Sequence, residues 1–253
     1  MKAMILAAGL GTRLRPLTND RPKALVTIGS RTLLEITLSR LRSFGIREVI
    51  LNAHHFADAI VDYLAANNNF GMKIAVSREP DLLDTGGGLK HAAWFFLKGN
   101  EGGQEPFILH NVDVISTIDL ARMVKLHNDQ AALATLAVQD RATARYLLFS
   151  TSGLLCGRRA GPDSKVELAR PLDAWEALGF SGIHVISPEL FSKLPQEGAF
   201  SIIDAYLQLA TAGEKILGFR ADEFYWRDLG RPAALQQAAA DLATGQVEIS
   251  GDA

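Results

Sequence analysis

Leu6-Ala7-Ala8-Gly9-Leu10-Gly11-Thr12-Arg13-Leu14-Arg15-Pro16-Leu17, read with the apolar run Ala3 to Ala7 that leads into it, decides the fold. A short apolar run has the length of a buried strand, and a glycine-rich loop directly after one opens a βα unit. Glycines let the backbone curl so that several N–H groups point at one anion. Arg13 and Arg15 add forked donors suited to phosphate oxygens, and Lys23 in Arg21-Pro22-Lys23-Ala24-Leu25 adds a point charge. A triphosphate is the natural occupant of such a loop. A dinucleotide fingerprint would need glycine where Leu14 stands, and a Walker A loop would need Gly-Lys-Ser/Thr, so neither of those phosphate loops is present. The competing reading is a glycine-rich turn with solvated arginines.

Outward from this loop, short apolar runs alternate with amphipathic segments, the pattern of βαβ units around a mostly parallel sheet. Leu33 to Leu41 has helical spacing and ends near Gly45, Glu48 to Asn52 is a second strand, Ala57 to Leu64 a helix, and Lys73 to Ser77 a third strand. Gly86-Gly87-Gly88 leads into a helix near Leu89 to Leu97, where Trp94, Phe95 and Phe96 read as core. The strand Pro106 to His110 stops at Asn111-Val112-Asp113. Further strands are expected at Ala132 to Val138, Tyr146 to Phe149, Ala177 to Ile186 and Lys215 to Arg220, and a last helix at Ala233 to Thr244. No repeat, low-complexity linker or boundary interrupts the pattern, so one domain is expected over 1–244 and a frayed tail over 245–253.

The 253 residues are 48% hydrophobic, enough for a substantial core, and carry a formal net charge of -2. With a pI near 6.3 there is no basic field, which argues against nucleic acid or an anionic membrane as a partner and for small molecules. Cys156 is the only cysteine, which excludes an internal disulfide and fits a reducing compartment, so the cytoplasm is expected. The apolar start is broken at once by Gly11-Thr12-Arg13, unlike an export signal, and no run approaches the roughly 18 apolar residues of a membrane span.

Chemistry at a phosphorus concentrates negative charge on its oxygens, and a hard cation held by carboxylates is the common way to offset it. Two carboxylates stand in suitable contexts. Asp113 lies just past a buried strand, where ligands of open α/β sheets bind, and Asp228 lies in Trp226-Arg227-Asp228-Leu229-Gly230. Surface turn aspartates are the alternative. The adjacent pair His54-His55 reads as structural, because neighbours on a strand point to opposite faces and no third ligand has metal spacing. His110 reads as a packing residue.

The segment L-A-A-G-x-G-T-R-L-x-P-L-T followed by P-K-A-L resembles the signature of the sugar-1-phosphate nucleotidylyltransferases, and the resemblance runs over nearly the whole chain. It implies a Rossmann-like, GT-A-like α/β/α sandwich, Mg²⁺ dependence, and attack of a sugar 1-phosphate on the α-phosphorus of a nucleoside triphosphate. On that basis Leu6, Ala7, Ala8, Gly9, Gly11, Thr12, Arg13 and Lys23 hold the triphosphate, with Asn111 beside them. Arg13, Lys23, Asp113 and Asp228 carry catalysis, and the two aspartates match the metal-binding N-G-D and W-x-D-x-G motifs. Val112 stands for the usual glycine, and Leu229-Gly230-Arg231 for the common V/I-G-T/S. Leu83-Asp84-Thr85-Gly86-Gly87-Gly88 resembles the loop that packs on the nucleobase, which assigns Thr85, Gly86, Gly87 and Gly88 to the nucleotide; Glu79 precedes it as in relatives. Ser181 and Gly182 fall on the strand that leaves room for the sugar, and Lys165 with Glu167 takes the place of the relatives' E-K pair. The chain is short, like the uridylyl- and thymidylyltransferases and especially the muramate type, which favours UTP. The alternatives are transfer to a non-sugar phosphate such as inositol or choline phosphate, or to a molybdopterin-like acceptor, a non-catalytic nucleotide-sugar sensor, and a nicotinamide oxidoreductase. A monomer and a homo-oligomer fit equally.

Overall fold

The computed structural model describes residues 1–98, 105–160, 165–171, 174–245 and 247. Along the chain run β1 (Lys2–Leu6), β2 (Thr27–Ile28), β3 (Arg31–Thr32), α1 (Leu33–Ser43), β4 (Glu48–Ala53), α2 (Ala57–Ala66), β5 (Lys73–Arg78), α3 (Asp84–His91), α4 (Ala93–Leu97) and β6 (Phe107–Asn111). Then come β7 (Val114–Ser116), α5 (Leu120–Asp129), β8 (Ala134–Gln139), β9 (Tyr146–Phe149), β10 (Leu155–Arg159), β11 (Val166–Leu168) and β12 (Glu176–Ile186). The chain closes with α6 (Leu190–Lys193), α7 (Ile202–Thr211), β13 (Ile216–Arg220), β14 (Trp226–Asp228) and α8 (Pro232–Ala243).

The central sheet is mixed. Its parallel half has the order β6-β1-β4-β5, and antiparallel pairing from β6 to β12 extends it toward β9, β10, β11 and β8, with β13 parallel to β8. Parallel strands buried on both faces read as continuous apolar runs, which is why β1, β4 and β6 were legible. Alternate residues serve opposite faces: Ala3, Ile5, Val49 and Leu51 enter one core with Leu38 of α1, Ile60 of α2, Met123 of α5 and Leu235 of α8. Met4, Ile50 and Leu109 enter the other, with Leu89 of α3, Phe96 of α4, Leu190 of α6 and Tyr206 of α7. Helices on both faces of one sheet make the Rossmann-like α/β/α sandwich.

Several expectations need correction. Gly86, Gly87 and Gly88 do not precede a helix but lie inside α3, and the helical path breaks at Ala92. Of the three aromatics there, Phe96 is core while Trp94 is 52% exposed. Helices α5 and α7 and strands β7, β10, β11 and β14 had no counterpart in the reading of the sequence. Of the expected tail, residues 246 and 248–253 lie outside the described residues, and Val247 is buried. No helix among the described residues is long and apolar enough to cross a membrane.

Three buried histidines give the fold a pH dependence. His110 is held down to about 4 by burial and by the nearby Arg40 charge, His127 to about 4 by burial, and His184 to about 3 by burial and then by His110. In the unfolded chain each takes a proton near 6.5. Between that value and about 4 the unfolded chain therefore binds more protons, so stability is complete above pH 6.5 and falls as pH falls below it. At pH 5 each histidine is expected to cost about 1–2 kcal/mol relative to pH 7.5. Urea titrations at the two pH values test this; equal midpoints would refute it.

Candidate active site

The end of β1 feeds the glycine-rich loop. Gly11 stands at φ +64° and caps a single helical turn over Thr12 to Leu14, conformationally open to glycine and strained for most other residues. A Cβ there would also press on Thr18 and on Lys23, because the loop folds back over both. The Thr18 hydroxyl and the Leu14 N–H both donate to the Gly11 carbonyl, at 2.9 Å each. Gly9, Leu10 and Gly11 make no backbone N–H bond to any described residue. This leaves donors on a curled loop, the arrangement that receives anions.

The loop is anchored from beneath. Ala7 N–H donates to Asn52 Oδ1 at 2.8 Å, Asn52 Nδ2 donates to Glu79 Oε1 at 2.7 Å, and Leu83 N–H donates to Glu79 Oε2 at 3.2 Å. Asn52 and Glu79 are both buried. Asn52, next to last in β4, and Asn111, last in β6, both pair in register with Leu6 at the end of β1, so residues at the carboxyl ends of these parallel strands lie at the site.

The two aspartates are brought together by a second, small sheet. Strand β14 pairs antiparallel with β7 and places Asp228 opposite Val114, the neighbour of Asp113. Leu229 N–H then donates to the Asp113 carbonyl at 2.8 Å. Buried Leu229 and Val112 pack the two turns into the core, which leaves Asp228 exposed and Asp113 half-buried. Val112 thus takes the glycine position of the related motif as a core residue. Asp228 Oδ1 accepts from Gly230 N–H at 2.7 Å, and a Cβ on Gly230 would meet both Arg13 Nη2 and Asp228 Oδ1. Arg13 and Asp228 therefore flank the same glycine. Lys23 Nζ is paired with Asp113 Oδ2.

Two neighbouring carboxylates are a donor set that fits a hard divalent cation of the Mg²⁺ kind, which keeps waters and substrate phosphate in its remaining positions. No group of three or more His, Cys, Asp or Glu with metal spacing occurs among the described residues, so Asp113 and Asp228 would need the substrate to complete the shell. His54 Nδ1 lies 2.8 Å from the Glu79 carbonyl, and His55 packs on Phe56.

Where the sugar was expected, Gly182 adopts φ +74° within β12, at a shift of the β12–β8 register between Phe180 and His184. A Cβ there would approach Asn111 Nδ2 and Val114 Cγ2 to 2.9 Å. Ser181 is fully buried, its hydroxyl has no partner among the described residues, and its carbonyl accepts from Trp226 Nε1 at 2.7 Å. Lys165 and Glu167 are not at this site. Both are exposed at the β11 edge, and Glu167 pairs with Arg158, which also pairs with Asp204 of α7. Charged side chains in solvent are common on edge strands.

Gly86, Gly87 and Gly88 are buried by the protein itself. A side chain on Gly86 would collide with Phe200, one on Gly87 with the Gly198 carbonyl, and one on Gly88 with Glu79 and Asn52. The Phe200 carbonyl accepts from Gly86 and Gly87 N–H, and Thr85 Oγ1 accepts from Ile202 N–H at 3.0 Å.

A curled donor loop at the end of β1, two cations and two registered carboxylates on a Rossmann-like sheet define a nucleotidyltransferase. The family model described as Nucleotidyl transferase matches residues 2–147. The N-acetylmuramate alpha-1-phosphate uridylyltransferase of Caulobacter vibrioides is 36% identical over 248 residues, covering 95% of this chain and 96% of that one. The enzyme of the same name from Neisseria meningitidis serogroup B is 31% identical, covering 95% and 97%. In fold, the chain is similar to a UDP-glucose pyrophosphorylase from Acinetobacter baumanii, with a TM-score of 0.78 at 19% identity over 98% of this chain and 95% of that one. The chain belongs to the nucleotidyl transferase family, and within it to the sugar-1-phosphate nucleotidylyltransferases.

Proposed function

We propose that the donor is UTP and the acceptor N-acetylmuramate 1-phosphate, giving a UDP-sugar and pyrophosphate. Transfer to a sugar phosphate rests on one observation above others: β14 and β7 hold Asp228 and Asp113 side by side next to a donor loop flanked by Arg13 and Lys23. The choice of UTP and of the muramyl sugar rests on the two uridylyltransferases matched from end to end.

Gly9 to Arg13 hold the triphosphate, with Leu6, Ala7, Ala8 and Thr12 shaping the loop. The base lies by Thr85, ahead of the buried glycines Gly86, Gly87 and Gly88, and Asn111 borders the ribose and phosphate side. Ser181 and Gly182 keep the floor of the sugar pocket low. The acceptor is already anionic, so no protein nucleophile or general base is needed. One of its phosphate oxygens bonds to the α-phosphorus, the α–β bridging P–O bond breaks, and pyrophosphate leaves with the electron pair. Catalysis is positioning and charge neutralisation. Mg²⁺, when held by Asp113 and Asp228, supplies positive charge to the phosphate oxygens. Lys23, released from Asp113, turns to the same oxygens. A reaction that draws on the UTP pool places the protein in the cytoplasm.

Pyrophosphate release over a grid of nucleotides and sugar 1-phosphates tests the assignment. UTP with N-acetylmuramate 1-phosphate is expected to exceed every other pair in kcat/KM by roughly tenfold or more, about 1.4 kcal/mol of transition-state preference. A higher value for GTP with mannose 1-phosphate would overturn it.

A further inference from the structure

Asp140-Arg141-Ala142-Thr143-Ala144-Arg145 joins β8 to β9 and has the composition of a solvated turn. Arg141 does not behave as one. Its guanidinium lies 3.8 Å from the centre of the Trp226 ring, and its Nη2 donates to the Phe180 carbonyl at 2.6 Å. Its Nε is buried with no partner among the described residues. Gly179 makes room for the side chain, since a Cβ there would press on Arg141 at 2.9 Å. Burial pulls its pKa below the ordinary arginine value and the Asp228 carboxylate pulls it back up, so it stays a cation.

Strand geometry aims this cation at the reaction. Trp226 and Asp228 are two apart on β14 and share a face, and Trp226 is pinned by its bond to the Ser181 carbonyl. Arg141 therefore stacks on the residue beside the metal-binding carboxylate and above the strand that carries Ser181 and Gly182. Its direct contacts are a carbonyl oxygen and an indole face, and the Asp228 carboxylate acts on it only through its field, so the half-buried cation has no hydrogen-bonded anion among the described residues. A desolvated cation is stabilised by an anion that arrives with its own hydrogen-bond acceptors.

The reaction brings two anions together, and they repel. Arg13 and Lys23 serve the triphosphate side, while Lys165, which the resemblance sets in the place of the relatives' E-K pair, lies exposed beside β11 at the sheet edge. We propose that Arg141 binds the phosphate group of the incoming sugar 1-phosphate and holds it for attack on the α-phosphorus. This rests on the nucleotidyl-transfer reading above. It makes Arg141 a substrate-binding residue whose loss is felt by the acceptor and not by the donor.

Steady-state pyrophosphate release with wild type, Arg141→Gln and Arg141→Lys separates the outcomes. Arg141→Gln is expected to raise KM for the sugar 1-phosphate by roughly 10- to 100-fold, the range for removal of a hydrogen-bonded charge, with KM for the nucleotide within about twofold of wild type. Arg141→Lys keeps the charge but not the fork, and is expected to recover part of the loss, with KM still raised about fivefold. An unchanged acceptor KM in Arg141→Gln, or equal rises for acceptor and donor, would overturn the assignment. If Arg141→Gln does not fold, an acceptor KM for Arg141→Lys equal to that of wild type overturns it. Wild type that turns over no pair would count against the enzyme reading instead; calorimetric titration of wild type and Arg141→Lys with N-acetylmuramate 1-phosphate then decides, and equal affinities would sink the proposal.

Discussion

Asp228→Asn is expected to lower kcat by roughly 10³-fold, about 4 kcal/mol of transition-state stabilisation, while the protein still folds. The substitution changes almost nothing but charge. Asn keeps an oxygen that can accept from Gly230 N–H, so the turn after β14 survives, and the side chain is exposed, so no buried partner is orphaned. What disappears is one of two carboxylates available to a divalent cation, together with the local balance against Arg13 on the other side of Gly230. Because the proposed cation completes its shell with substrate phosphate, the loss should fall on turnover and on the Mg²⁺ concentration needed for half-maximal rate. Pyrophosphate release across a magnesium titration reads both, and thermal melting reads the fold. A variant with wild-type kcat and wild-type magnesium dependence would remove Asp228 from the metal site.

Asn52→Ala is expected to cost about 2–4 kcal/mol of stability, the largest effect foreseen for a residue that touches no substrate. Asn52 links the loop after β1 to the segment before α3. It accepts from Ala7 N–H and donates to Glu79, whose second oxygen accepts from Leu83 N–H. Truncation leaves a buried N–H and a buried carboxylate oxygen without their partners, and an unpaired buried polar group is penalised more than a formed bond is rewarded. The two loops that the proposed function assigns to the phosphates and the base would then lose the anchor they share. Urea unfolding should show the drop, and KM for UTP should rise along with it. Full stability in Asn52→Ala would mean that the network carries little of the fold. Glu79→Gln keeps the size but only one of the two acceptor oxygens, so its NH2 faces either Asn52 Nδ2 or the Leu83 N–H and a loss of the same sign is expected.

The first half of the fold was legible because parallel strands buried on both faces are written as apolar runs, as Ala3 to Ala7 and Val49 to Leu51 are. Strands β10 and β11 were missed because they form an antiparallel edge rich in arginine, glycine and glutamate. Helix α5 was missed because charged and polar residues interrupt its apolar face, which buries Leu120, Met123 and His127 and packs Val124 and Leu126 in part. Glycines 86 to 88 looked like a loop because helices avoid glycine. Their place inside α3 follows from the close approach of Phe200 and Gly198, a contact set more than a hundred residues along the chain.

By itself the sequence set the opening strand and its glycine-rich loop, singled out Asp113 and Asp228 as candidate carboxylates, and through its family resemblance indicated the class of reaction, since each rests on a few adjacent residues. Tertiary structure alone decided which distant groups share the site. It registered Asp228 against the Asp113 turn through β7 and β14, joined Ala7 to Glu79 through Asn52, left Lys165 and Glu167 at a solvated edge, and brought Arg141 onto Trp226. The reason is physical: a local motif fixes what a residue can do, but only strand pairing and burial fix what it can reach.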